Sequence, residues 1–74
     1  MSSLLEVTKM TSNMITVITT KDGTERVSNI VLDKVEAWAA FNDRIEIFVG
    51  MHIFTVVENI EKVDGLLRAR FGSN

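Results

Sequence analysis

Apolar and polar positions divide this chain into a front part with the period of strands and a back part with the period of a helix. The densest apolar stretch is 44–57, RIEIFVGMHIFTVV. Ile45, Ile47 and Val49 alternate with Arg44, Glu46 and Phe48, and alternation marks a strand because successive side chains point to opposite faces. After Gly50-Met51, the run His52-Ile53-Phe54-Thr55-Val56-Val57 has the β-branched and aromatic content of a second strand. Gly50 suits the first central position of a type II′ turn, which needs positive φ. A two-residue turn fixes register. It places Val49 opposite His52, Ile47 opposite Phe54 and Ile45 opposite Val56 on one face, the expected core. Phe48 faces Ile53, Glu46 faces Thr55 and Arg44 faces Val57 on the other.

Ahead of this hairpin, Met14–Thr20 is β-branched and reads as a strand. Asp22-Gly23 is the strongest turn signal in the chain, supplying positive-φ positions for a hairpin. The return strand begins with Glu25–Ser28, and the bunched apolar residues of Asn29–Asp33 read as a strand end running into a tight connection. Lys34–Phe41 carries alanines that favour helix, but its alternation and its place between two strands favour a strand. That reading puts Trp38 on the face of Glu36, near Phe48 and Ile53. Asn59–Phe71 reads as the one long helix: Asn59 as N-cap, Ile60, Val63, Leu67 and Phe71 in a stripe widened by Leu66, and Gly72 as the stop. Gly65 inside it costs about 1 kcal/mol relative to Ala, which a close backbone approach would explain. Residues 1–13 read as an arm or a short helix capped by Ser2 or Ser3, and 14–74 as a single domain.

Seventy-four residues allow one domain, and a chain so short buries only about 60% of its unfolded surface. Small domains usually need a staple. With no Cys and one His, disulfides, thiolate zinc sites and a histidine-rich metal site are excluded. What is left is an unusually efficient core or an oligomer. Phe48, Ile53 and Val57, joined by Trp38, give the second sheet face more apolar surface than water favours, so these residues are the expected interface of a homo-oligomer, a dimer or larger. The net charge of −2 disfavours nucleic acid. No apolar run is long enough to span a membrane and no signal peptide is visible, so a cytoplasmic protein is expected.

Chemistry is sparse. His52 is the single imidazole, sits beside a turn and has no nucleophile motif to serve. The carboxylates show no spacing diagnostic of acid–base catalysis, and Glu58, Glu61 and Asp64 read as a solvated helix face. No phosphate-binding glycine motif is present. No enzyme and no cofactor are expected. Lys21, Arg26 and Arg44 are the cations placed to converge on an anionic ligand at one end of a dimer.

Ile15-Thr16-Val17, Asp22-Gly23, Val35-Glu36-Ala37, Asn42-Asp43, Ile45-Glu46-Ile47, Gly50, Phe54-Thr55-Val56, Glu58 and the helix with Glu61-Lys62-Val63 and Leu67 together resemble the small flagellar FlbD-type proteins. The resemblance covers about residues 14–71 and departs at the N-terminal arm, at Trp38-Ala39-Ala40 and at His52. It implies a small bacterial accessory protein with no catalytic residues to carry over; phage-encoded inhibitors share this size and composition. The expected fold is α+β: a small curled antiparallel β-sheet of four to five strands with one C-terminal α-helix packed on one face. The expected function is non-catalytic binding of a protein partner by a homo-oligomer. The alternative is an oligomer that sequesters a small anionic molecule, such as a nucleotide, between subunits.

Overall fold

The computed structural model of the protein describes residues 7–72. The expected arm, with its caps at Ser2 and Ser3, lies mostly outside them. Within them the chain forms β1 (Lys9–Met10), β2 (Met14–Lys21), β3 (Thr24–Val31), a 3₁₀ turn (Leu32–Lys34), β4 (Ala37–Ala40), β5 (Ile45–Val49), β6 (His52–Val56) and α1 (Ile60–Phe71). This is the expected α+β arrangement, with the two-residue β1 as an extra strand. All pairings are antiparallel. One edge of β2 holds β3 along its whole length. The other is shared: β1 pairs with Ile15 and Thr16, and β6 pairs with Thr19 and Thr20. From there the sheet continues through β5 to β4, and it curls into a half-barrel.

Both hairpins turn as their glycines demand. Asp22 (φ 54°) and Gly23 (φ 80°) are both left-handed, as a type I′ turn requires. Gly50 has φ 59° and Met51 does not share it, the type II′ pattern. The β5–β6 register is Val49–His52, Phe48–Ile53, Ile47–Phe54, Glu46–Thr55 and Ile45–Val56, as the two-residue turn predicts.

Inside the curl, Ile15, Val17, Ile30, Leu32, Ile45, Ile47 and Val56 meet Val63 and Leu67 of α1 in one buried cluster. At about 25 cal/mol per Å² of apolar surface removed from water, such clusters dominate the stability of a small domain. Asn59 begins the helix, but in the left-handed region (φ 57°) and without a side-chain capping bond; its tolerance of that backbone, more than its carboxamide, suits it to the position. Gly72 stops the helix in the left-handed conformation, its N–H bonding the Arg68 carbonyl at 2.8 Å. The close approach expected at Gly65 does not occur: a Cβ there would meet nothing within 4 Å. Among the described residues no helix is long and apolar enough to cross a membrane.

Trp38 corrects the expectation placed on it. It pairs with Ile47, not with Phe48, and so belongs to the helix-covered face. Its indole N–H donates to Asp64 Oδ1 at 3.1 Å, and its ring lies 5.5 Å from that of Phe71. A buried indole needs an acceptor for its single donor, and α1 supplies one. Trp38 is therefore part of the intramolecular core and not of the second face.

Candidate functional site

Extending the β2–β6 register by one step brings Lys21 alongside Phe54, both on the inner face. At this end the β2–β3 and β5–β6 turns project together. Val17, Ile30 and Val56 are fully or almost fully buried under the helix, but Lys21, Arg26 and His52, inner-face residues nearer the turns, are exposed. They line a cleft of about 220 Å³. Thr19, Lys21, Arg26, Ser28, His52 and Phe54 line it, together with Thr20, Ile53 and Thr55 of the opposite parity.

The electrostatics of the cleft follow from which cations are already engaged. Arg44 donates to Glu46 Oε2 at 3.0 Å and to Asp43 Oδ1 at 2.9 Å, and lies 4.2 Å over the Phe41 ring. The hydrogen bond to Glu46 does most to raise its guanidinium pKa, desolvation opposes it, and Asp43 adds to the rise. Of the three cations expected to converge at one end of a dimer, Lys21 and Arg26 line this cleft within one chain and Arg44 does not. Arg68 is held by Asp64 at 2.9 Å and Arg70 by Asp33 at 3.6 Å. Arg26 and Lys21 make no ion pair with any described residue. Beside them, the Thr19 and Ser28 hydroxyls share one hydrogen bond of 2.6 Å. One of the two donates, leaving the proton of the other free for a ligand.

The arrangement offers two cationic side chains, at least one hydroxyl donor, an imidazole and the ring of Phe54. It can hold an anion by charge-assisted hydrogen bonds. No carboxylate is among its lining residues.

The other predicted residues lie where the register put them. Phe48, Ile53 and Glu46 share the outer face with Ala37 and Ala39 of β4. Phe48 is half-buried, Ile53 is 58% exposed and Val57 is 36% exposed. That face also carries the paired Met14 and Val31, and Val27, all partly exposed. Ile18 on the same face is fully buried outside the main cluster. Met51, at the tip of the β5–β6 turn, is 98% exposed.

Sequence reasoning missed Thr19, Ser28, His52 and Phe54 as a group. Their juxtaposition depends on the long-range pairing of β2 with β6, which no local signal announces. A usable clue was present: His52 breaks an otherwise apolar face at its very end. Comparison with family models, with curated proteins and with solved structures finds no match to this chain.

Proposed function

We propose that this protein is a non-catalytic binding module whose open cleft takes a small anionic group. One observation carries the reading. Arg44, Arg68 and Arg70 each have a carboxylate partner, and Arg26, with Lys21 beside it, faces a cleft without one. An arginine fork left unpaired next to hydroxyl donors matches a phosphate or carboxylate, which it can grip bidentately. Phe54 adds an apolar wall on which the rest of a nucleotide-like ligand could rest. The resemblance to FlbD-type accessory proteins supports the non-catalytic part of this reading.

Melting temperature tests it, because a ligand bound only by the folded state stabilises by mass action, about 2.7 kcal/mol at a hundredfold excess over Kd. Inorganic phosphate, pyrophosphate and adenosine monophosphate are compared with uncharged adenosine at constant ionic strength. The anions should raise the melting temperature and adenosine should not. Arg26→Gln should remove the rise, while Lys62→Gln, on the exposed side of α1, should keep it. No rise with any anion, or an undiminished rise in Arg26→Gln, would overturn the proposal.

A second reading, docking of a protein partner on the outer face, is favoured by the exposure of Ile53, Val57 and Met51. Exposed apolar surface of this kind often marks an interface. Met51→Asp, away from the cleft lining, would abolish capture of such a partner without lowering the melting temperature of the isolated chain, and capture that survives this change would sink the outer-face reading.

A further inference from the structure

Among the described residues, nothing pairs with the outer edge of β3. The strand runs for eight residues, Thr24–Val31, and of the described strands it meets β2 alone. It contains no proline, and its register with β2 is unbroken from Lys21–Thr24 to Met14–Val31. In a hairpin closed by a two-residue turn, the pair next to the turn is hydrogen-bonded and the pairs then alternate. Thr24, Arg26, Ser28 and Ile30 therefore direct their backbone groups to β2, and Glu25, Val27 and Asn29 direct theirs to the empty edge. Such an edge is a template for another strand.

The sequence of β3 is compatible with itself in one antiparallel register. A two-fold axis normal to the sheet keeps inner residues opposite inner residues. If Arg26 sits on the axis, like charges face each other. With Ser28 there, Arg26 faces Ile30 and Glu25 faces Val31, so both charges meet apolar side chains. Placing Val27 on the axis sets Val27 against its own copy, Glu25 against Asn29 and Arg26 against Ser28. Of these three registers this last one sets Val27 against Val27 and the charged residues against polar ones, with Thr24 against Ile30 as its one mixed pair, and matched cross-strand pairs stabilise a sheet. Val27, 44% exposed in one chain, becomes the centre of the contact.

This register has a consequence for the cleft, and the step rests on the anion-binding reading above. Arg26 lies on the inner face beside the cleft and acquires Arg26 of the second copy as its diagonal neighbour, roughly 7–8 Å away between strands. The two clefts then adjoin across the axis. Unscreened, the paired guanidinium groups repel, and an inward-pointing charge of this sort is a known way to blunt a free edge. A polyvalent anion between them turns the repulsion into a bridge. We infer that this protein forms a two-fold dimer through β3–β3 pairing, closed by a di- or triphosphate group that bridges the Arg26 side chains of both copies. The partner copy thereby completes the site.

Sedimentation velocity of the full chain, with inorganic pyrophosphate as the probe, tests this. Pyrophosphate should lower the concentration for half-dimerisation by at least about tenfold, the mass-action signature of a ligand that binds the dimer preferentially. Sodium sulfate at matched ionic strength controls for screening of the two arginines and should give a much smaller shift. Val27→Lys places like charges on the axis without touching the cleft. It should stay monomeric with pyrophosphate while keeping a pyrophosphate-dependent rise in melting temperature. Arg26→Gln should lose the pyrophosphate dependence altogether. If pyrophosphate raises the melting temperature but the wild type stays monomeric, the dimer inference falls and the cleft reading stands. A dimer that ignores pyrophosphate, or one that survives Val27→Lys, also overturns the inference. If neither the melting temperature nor the mass responds, both readings fall.

Discussion

The inner face of the sheet has a covered part and an open part that share side-chain parity but not chemistry. In the covered part Ile15, Ile45 and Ile47 are completely buried with Val63 and Leu67, and Trp38 is tied to α1 through Asp64. In the open part, on the β2, β3 and β6 side, the positions of the same parity are Thr19, Lys21, Arg26, Ser28 and His52, which line a cleft. The helix covers only part of the face, and the chain has put apolar residues under the cover and polar ones beyond it. Parity thus assigns a residue to a face, but only the covering element decides whether that position is core or site.

The largest effect separating the two parts should come from Ile47→Ala. Ile47 is fully buried between Trp38 and Phe54 in the sheet. Removing its branch leaves a cavity, and buried Ile→Ala changes cost about 2–5 kcal/mol. Urea denaturation should show the midpoint falling with little change in slope. A cost below about 1 kcal/mol would mean that the covered part is not packed as a core. His52→Ala, in the open part of the same face, should stay within about 0.5 kcal/mol of wild type, as exposed substitutions do.

Next in size is the tie between sheet and helix. Asp64 accepts from Arg68 and from the Trp38 indole, and these two bonds, the Arg68 one foremost, hold its carboxyl pKa below the usual value. A carboxylate depressed in the folded state stabilises fully above its unfolded pKa, near 3.9, and loses that contribution as pH falls through the folded value. Asp64→Asn should therefore lower stability at pH 7 by about 1–2 kcal/mol, the low side of the range for hydrogen bonds to charged groups because the Arg68 partner is exposed and screened. Below the folded pKa the difference should shrink, since the wild-type carboxyl is then neutral as well. Equal losses at pH 7 and pH 2.5, measured by urea midpoints, would show that the charge on Asp64 is irrelevant to the tie.

How much of this was legible follows from how local each decision is. The β5–β6 register is readable because two residues, Gly50 and Met51, fix it within one turn. The β4–β5 register is set across the connection 41–44, where the Phe41 N–H bonds the Arg44 carbonyl at 2.8 Å. A shift of one residue there flips every side chain, and Trp38 was accordingly expected on the wrong face. Asp64 read as a solvated acid because its acceptor role depends on a residue 26 positions away. The cleft was harder still. Lys21 and Arg26 announce themselves as neighbours across a hairpin, but His52 and Phe54 join them only through the pairing of β2 with β6.

Gly65 sharpens the comparison from the helix side. It lies on the exposed side of α1, with open space where a Cβ would sit. No conformational demand keeps glycine there, since its φ is not positive. Gly65→Ala should stabilise the protein by up to about 1 kcal/mol through helix propensity alone, read as a higher urea midpoint. A destabilisation would reveal a contact on that side of α1, such as one with a second copy.

Arg26→Gln should have the smallest effect on stability and the clearest one on binding. Arg26 is exposed and without an ion-pair partner among the described residues, so its loss should move the urea midpoint by no more than about 0.5 kcal/mol. A residue whose removal costs nothing in the free protein but abolishes the response to an anion contributes to binding and not to folding, which is the distinction drawn between the two parts of the face. Lys21→Gln should follow the same pattern with a weaker loss of binding, because an ammonium lacks the planar fork that grips two oxygens together. If Arg26→Gln instead destabilised the free chain by as much as Asp64→Asn, the open part would be structural after all, and its polar residues would have to be explained by contacts within the fold.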